Sequence, residues 1–358
     1  QRVSELHIPG LFQNREYRRY YPGGEVMAHV LGFTGADDAG QEGIELAFQS
    51  TLAGKSGSRR VIKDRLGQIV EDMESIREAQ NGGDLALALD AKLQNLAFSQ
   101  LKLAVEINKA RAGAIVVLDA KTGEVLALAN LPTYNPNNRG RLSGAQLRNR
   151  VITDTFEPGS TLKPFTVAVA IESGKVTPES KIATAAGSLT IGKATIHDAH
   201  HFGDMTVTQV IQRSSNVGAA KIALGLPAEA MWGMFDKAGF GSVPRLGFPG
   251  EASGKLRAYK AWRPIEQATM AYGHGISVSL LQLARAYTMF ARDGELMPLS
   301  LVRVDAPPTG KQVISPDTAR KLRDMLELAV EPGGTAPRAR VVGYRVAGKT
   351  GTAQKEEN

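Results

Sequence analysis

The sequence predicts an α/β (α+β) chain: a sheet whose helices form a separate cluster, preceded by a small irregular module. Three observations predict it. Strand-like runs come early and near the end, helix-length apolar periodicities fill the middle, and a Gly-rich break at Gln80-Asn81-Gly82-Gly83-Asp84 ends a polar first stretch. The 358 residues are 42% hydrophobic and 22% charged, which is apolar material for a sizeable core in one large domain or two of moderate size.

Residues 1–81 read as polar, Gly-rich and irregular, with Arg59-Arg60-Val61-Ile62-Lys63 as a strand and Asp64-Arg65-Leu66-Gly67 as a turn. Residues 82–358 form the larger module. Leu85-Ala86-Leu87-Ala88-Leu89 is a short apolar strand. Asp90 then caps a helix running to about Lys109, because Leu93, Leu96, Ala97, Leu101, Ala104 and Val105 recur at helical spacing. Ala114-Ile115-Val116-Val117-Leu118 and Val125-Leu126-Ala127-Leu128-Ala129 flank the turn Asp119–Glu124 and make a β-hairpin. Further helices are expected at about 160–173, 206–213, 216–225, 228–238, 264–273, 279–292 and 316–330. The sequence contains no internal repeat.

The net charge of +7 is a mild bias that favours an anionic partner such as a carboxylate-bearing polymer or an acidic membrane surface. No Lys/Arg run is interleaved with aromatics, so nucleic acid is not an expected partner. The chain lacks cysteine, which removes disulfides and thiol chemistry without fixing a compartment. It has no run of 18 apolar residues, and it starts at Gln1, so a signal or anchor is expected upstream of it.

Three short motifs carry the chemistry. In Phe156-Glu157-Pro158-Gly159-Ser160-Thr161-Leu162-Lys163, Pro and Gly break the chain before an apolar helical run. Ser160 therefore sits at a helix start and Lys163 lies one turn on, on the same face. Unpaired N–H groups there suit a developing oxyanion, and a lysine kept from water beside another cation could take the proton of the serine. Pro164 disfavours helical geometry at Lys163, so an irregular first turn is expected. The second motif is Arg213-Ser214-Ser215-Asn216-Val217-Gly218, joining two helices. Here a hydroxyl can relay a proton and an amide can hold a peptide carbonyl, although Ser and Asn are equally at home as a helix N-cap. The third is Val346-Ala347-Gly348-Lys349-Thr350-Gly351-Thr352-Ala353, read as a strand whose small residues admit a ligand backbone. Lys349 offers charge, Thr350 a hydroxyl, and the Thr352 N–H a second oxyanion donor. Two decoys share the letters: Ser99-Gln100-Leu101-Lys102 in mid-helix and Lys121-Thr122-Gly123 in the hairpin turn. The conjunction of Ser-x-x-Lys, Ser-x-Asn and Lys-Thr-Gly in that order is what carries weight.

The sequence resembles the class B penicillin-binding proteins, the monofunctional peptidoglycan DD-transpeptidases, and is most similar to the septal, division-specific branch. Beyond the trio, the resemblance rests on Arg18-Arg19-Tyr20-Tyr21-Pro22-Gly23-Gly24, Gly40–Glu45, Asn149-Arg150, Trp262–Thr269, Gly273-His274-Gly275, Leu281–Arg285 and Pro332-Gly333-Gly334. It implies a penicillin-binding/serine β-lactamase-like domain with a five-stranded sheet between helical clusters, preceded by part of an elongated pedestal. It implies that Ser160 is acylated by D-Ala-D-Ala donors and by β-lactams, and that Lys163 is its base. Ser214 and Asn216 would line the cleft, and Lys349, Thr350 and Gly351 would form the edge on which the donor peptide adds as a strand. The N–H groups of Ser160 and Thr352 would form the oxyanion hole. No cofactor and no metal is implied. The implied partners are peptidoglycan stem peptides, a glycan-polymerising membrane protein and other division proteins. The implied location is the periplasmic face of the inner membrane, with a single N-terminal anchor outside this chain. In the family, two more strands and a helix follow the Lys-Thr-Gly strand, so they are expected beyond Asn358.

Other readings use some of the same residues. An elongation-type transpeptidase shares the whole pattern. A serine β-lactamase would need a deacylating glutamate, for which no candidate lies between Asn216 and Lys349, and it has no place for the first module. A non-catalytic β-lactam sensor would keep the trio but not the first module. His197, His200 and His201 have metal-like spacing but no fourth ligand, and read as a solvated loop.

Overall fold

The computed structural model describes residues 18–66 and 69–353. The chain divides into two compact units, residues 1–84 with 134–141, and residues 85–133 with 142–358.

The first unit is more regular than its composition suggests. It contains α1 (Gly24–Leu31), β1 (Phe33–Thr34), β2 (Gly40–Glu42), α2 (Gly43–Ala47), α3 (Gln49–Leu52) and the antiparallel pair β3 (Ser58–Lys63) and β4 (Ile69–Arg77). The strand read at 59–63 is β3, while Gly67 of the predicted turn lies outside the described residues. Buried side-chain bonds provide the order that apolar periodicity does not. The Tyr21 hydroxyl accepts from Thr34 N at 3.1 Å and donates to Glu45 at 3.3 Å, and the Tyr134 hydroxyl donates to Ala28 O at 3.0 Å.

The second unit opens with α4 (Ala91–Ile107), capped as expected by Asp90, whose carboxylate accepts from Lys92 N and Leu93 N. The hairpin β5 (Gly113–Leu118) and β6 (Val125–Leu131) follows, its turn closed by Asp119 accepting from Lys121 N at 2.6 Å. Among the described residues this hairpin is the longest ladder of the unit. Leu85–Leu89 does not form the expected strand: only Leu87 makes a bridge, to Val302, flanked by Ala88 N donating to Leu301 O at 2.8 Å and Arg303 N donating to Ala86 O at 3.1 Å, while Asp90 N turns instead to Leu126 O at 2.9 Å. Short elements α5 (Gly144–Leu147), α6 (Arg150–Thr153) and β7 (Thr155–Phe156) lead into a 3-10 turn at Gly159–Leu162 and then α7 (Lys163–Glu172).

Beyond α7 come β8 (Lys181–Ile182), β9 (Ser188–Ile191), β10 (Ala194–His197), β11 (Met205–Thr206), α8 (Val207–Gln212), α9 (Asn216–Leu224), α10 (Ala228–Lys237) and α11 (Pro264–Met270). They are followed by β12 (Val278–Ser279), α12 (Leu280–Ala291), β13 (Glu295–Leu296), β14 (Lys311–Gln312) and α13 (Pro316–Leu328). All seven helices expected from residue 160 onward are present, most with ends displaced by one to three residues. Four of their starts are fixed by caps: Thr206, Ser215, Ser279 and Ser315 each accept from a backbone N–H of the first turn.

The core is this helical cluster. Lys163–Ala170 of α7 is buried on every side, as a helix apolar all round must be. Phe165 is fully buried, with the rings of Phe240, Tyr287 and Phe290 at centroid distances of 5.2, 5.5 and 4.9 Å. Burying such a ring contributes about 2–3 kcal/mol, and it fixes the helix that carries Lys163.

Candidate active site

The site is built where three segments of the second unit meet. The first is the start of α7. Lys163 is helical (φ −52°, ψ −41°) despite the Pro164 that follows, contrary to expectation. Pro164 lies in the first turn, where its missing N–H has no helical partner to lose. The expected irregularity falls one turn earlier, in the 3-10 turn carrying Ser160. That turn is held by Thr161 Oγ1 donating to Pro158 O at 2.6 Å and by the buried Tyr287 hydroxyl donating to Thr161 O at 2.7 Å.

The second segment is the turn before α9. Ser215 is the N-cap, accepting from Gly218 N at 2.8 Å, so the capping role and the cleft roles are divided among adjacent residues. Ser214 and Asn216, on either side, both reach Lys163. Ser214 has φ 61°, a left-handed conformation that costs a non-glycine residue about 1–2 kcal/mol. The third segment is 346–353. It is not the predicted strand: it has no ladder partner among the described residues, and Gly348 N donating to Leu326 O at 3.0 Å ties it to α13. The Thr350 hydroxyl is bonded to that of Thr335 at 2.9 Å, while Thr350, Gly351 and Thr352 are exposed.

Lys163 and Lys349 converge on one hydroxyl. Lys163 Nζ lies 2.6 Å from Ser214 O, 2.8 Å from Asn216 Oδ1 and 3.0 Å from Ser214 Oγ, and Lys349 Nζ lies 2.8 Å from the same Oγ. Asn216 Nδ2 donates to His197 O at 3.2 Å, which turns its Oδ1 toward the lysine. Lys163 is 0% exposed. Burial, and then the charge of Lys349, hold it well below the ordinary lysine range, with the Asp198 carboxylate acting in the opposite sense. Burial pushes Lys349 down to about 8. A neutral Lys163 has two hydrogens, which the two obligate acceptors Ser214 O and Asn216 Oδ1 take, leaving its lone pair for a hydroxyl. Ser214 Oγ can then accept from Lys349 and donate to Lys163. The Ser160 hydroxyl, half-buried, makes no hydrogen bond among the described residues.

Gly159 and Gly273 bring the backbone around Ser160 together. Gly159 has φ 57°, and a Cβ there would lie 2.5 Å from Thr352 O; a Cβ on Gly273 would lie 2.2 Å from Gly159 O. Thr352 thus abuts the nucleophile turn on one side and Gly273 on the other. Glu157 ties the second contact down, accepting from Gly275 N at 2.9 Å and pairing with His274 Nδ1 at 3.0 Å.

The structure therefore brings Lys163, Ser214, Asn216 and Lys349 into one hydrogen-bonded cluster and sets Ser160 and Thr352 on adjoining backbone. The decoys lie elsewhere: Ser99 and Lys102 are exposed on α4, and Lys121-Thr122-Gly123 is in the β5–β6 turn. The histidine segment matters for a reason the spacing did not reveal. It carries Asp198, whose Oδ2 accepts from Ser215 Oγ at 2.7 Å and whose Oδ1 accepts from Asn216 N at 2.5 Å and Val217 N at 2.9 Å. Neither Asp198 nor Thr335 had a signal beyond proximity in space.

Residues 113–358 match the family described as the penicillin binding protein transpeptidase domain, and residues 1–87 match the penicillin-binding protein dimerisation domain. The chain is 44% identical over 360 residues to the probable peptidoglycan D,D-transpeptidase PenA of Neisseria gonorrhoeae, covering 100% of this chain and 62% of the relative. It is 43% identical over 353 residues to the peptidoglycan D,D-transpeptidase FtsI of Escherichia coli K12, covering 99% of this chain and 60% of the relative. The chain thus spans about three-fifths of the length of these relatives. Among solved structures, it is similar to the apo transpeptidase (TP) domain of Burkholderia pseudomallei penicillin-binding protein 3, with TM-score 0.70 and 51% identity over 76% of this chain and 78% of that one. It is equally similar, at TM-score 0.70 and 52% identity over 75% of this chain and 82% of that one, to a structure described as a peptidoglycan glycosyltransferase from Burkholderia ambifaria.

Proposed function

Because the chain belongs to the penicillin-binding protein transpeptidase family, we propose that it cross-links peptidoglycan as a serine DD-transpeptidase, with Ser160 as the acylated nucleophile. Residues 82–358 are assigned as the catalytic domain and 1–81 as part of a non-catalytic pedestal. The observation that carries the reading is the cluster in which Lys163 and Lys349 meet on Ser214 Oγ and Asn216 Oδ1 meets Lys163, with Lys163 buried and held well below the ordinary lysine range by that burial and by Lys349.

In this reading Lys163 accepts the Ser160 proton as the hydroxyl attacks the carbonyl between the two D-alanines. The Ser160 and Thr352 N–H groups stabilise the oxyanion at the helix start. The proton passes through Ser214 to the departing D-Ala amine, and the C–N bond breaks to leave the acyl-Ser160 ester. The amine of a neighbouring stem peptide then forms a new amide as Ser160 regains its proton. Lys349 and Thr350 receive the terminal carboxylate of the donor, and Gly351 leaves room for its backbone. A β-lactam is attacked in the same way but keeps its leaving group tethered, so the ester persists.

A septal role is favoured over an elongation role by the sequence resemblance. The expected partners are a glycan-polymerising membrane protein and division proteins, and the expected place is the periplasmic face of the inner membrane. Among the described residues no helix is long and apolar enough to cross a membrane. The reading is tested by following D-alanine release from a pentapeptide ending in D-Ala-D-Ala, with and without an added acceptor amine. Release that is lost in Ser160→Ala supports it; release that survives in Ser160→Ala refutes it.

A further inference from the structure

We infer that Asp198 is a positioning residue for acyl transfer: one carboxylate holds the Ser214-Ser215-Asn216 turn so that Ser214 Oγ and Asn216 Oδ1 stay on Lys163. The inference rests on the proposed transpeptidase reading. Ser214 has a left-handed backbone and sits in a turn that has to present a hydroxyl and an amide to the same amine. Backbone bonds from Ser214 N to Ile211 O at 3.2 Å and from Ser215 N to Val210 O at 3.0 Å close the turn on its α8 side, which leaves its α9 side to be held. Asp198 crosses to it from the loop after β10 and takes three donors: the Ser215 hydroxyl at 2.7 Å and the N–H groups of Asn216 and Val217 at 2.5 and 2.9 Å. The two amides are first-turn donors of α9, which have no helical partners, and the negative charge lies at the positive end of that helix. Asp198 is itself fixed, since its N–H donates to Gly187 O at 3.0 Å.

Position and charge act on the same amine. The charged groups that face Lys163 are Lys349, from the 346–353 segment, and Asp198, from the β10–β11 loop; Ser214 and Asn216 are neutral. Lys349 favours the uncharged form of Lys163 and Asp198 the charged form. A neutral replacement of Asp198 therefore has two separable consequences. The turn loosens, so the maximal rate falls. The ammonium form of Lys163 loses its counter-charge, so the acid limb of the rate profile moves to lower pH.

The test is Asp198→Asn, which retains an acceptor for the α9 amides, with Ser215→Ala as the second variant. The second-order rate of acylation by benzylpenicillin is measured from pH 5 to 10 beside the melting temperature. Asp198→Asn is expected to lose at least tenfold in maximal rate, with its acid limb displaced downward. Ser215→Ala, which removes one of the three bonds and the cap on Gly218 N but no charge, should keep the limb in place whatever its loss of rate. An unchanged rate in Asp198→Asn overturns the inference. So does a loss that follows the melting temperature in both variants with no displacement of the limb, which is the signature of a purely structural cap. Failure of the transpeptidase reading is distinguishable, because the unaltered protein would then form no adduct on Ser160.

Discussion

Replacing Gly159 with alanine tests whether the backbone approach beside Ser160 matters for acylation. Two costs are expected. The first is conformational: at φ 57° an L-residue pays about 1 kcal/mol. The second is steric: the new Cβ would lie 2.5 Å from Thr352 O, a backbone atom that cannot rotate away. Thr352 must retreat by nearly an ångström to restore van der Waals contact, and a misplacement of about 1 Å costs roughly a hundredfold in rate, or about 2.7 kcal/mol. Gly174 provides the control. It has φ 66° at the end of α7, with nothing within 4 Å of its notional Cβ. Gly174→Ala should lower the melting temperature by about 2–4 °C for its roughly 1 kcal/mol and leave acylation unchanged. The assay is the second-order rate of labelling by a fluorescent penicillin, read beside thermal unfolding. A folded Gly159→Ala protein that acylates within threefold of the unaltered one would refute the argument.

Three other outcomes follow from the same geometry. Lys349, pushed down to about 8, is a cation below that pH and neutral above it, so acylation by an anionic β-lactam should decline as pH rises through about 8; Lys349→Arg, charged throughout, should abolish that limb, and its persistence in a pH-rate profile would contradict the assignment. Tyr287→Phe removes the bond to Thr161 O and leaves a carbonyl without its partner beside the nucleophile turn; a calorimetric loss of about 1–3 kcal/mol is expected. Phe165→Ala opens a cavity among Phe240, Tyr287 and Phe290 and should cost about 3–5 kcal/mol in chemical denaturation.

What the sequence made legible was local. Helix starts were readable because Asp90, Thr206, Ser215, Ser279 and Ser315 are capping residues whose partners lie within the next turn. The β5–β6 hairpin was readable because the Asp119 turn closes on itself. Strands that depend on distant partners were not: Leu85–Leu89 and 346–353 have the apolar or small residues of strands but lack a ladder among the described residues. The same division holds in the site. Ser160, Lys163, Ser214, Asn216 and Lys349 could be named because they fall in compact motifs. The bonds that arrange them could not, because the acceptor for the Asn216 and Val217 amides lies on another loop and the Gly159–Gly273–Thr352 approach joins three separate segments. Pro164 leaves Lys163 helical because the α-helix begins at Lys163 itself, a start that depends on the preceding 3-10 turn and not on the Lys-Pro pair.

The identity of Ser160 as the nucleophile is open to a direct measurement. Incubation with benzylpenicillin, followed by intact-mass measurement and peptide mapping, should give a stable one-to-one adduct on the peptide containing Ser160, absent in Ser160→Ala. An adduct confined to another peptide, or penicillin consumed with no lasting adduct, would contradict it.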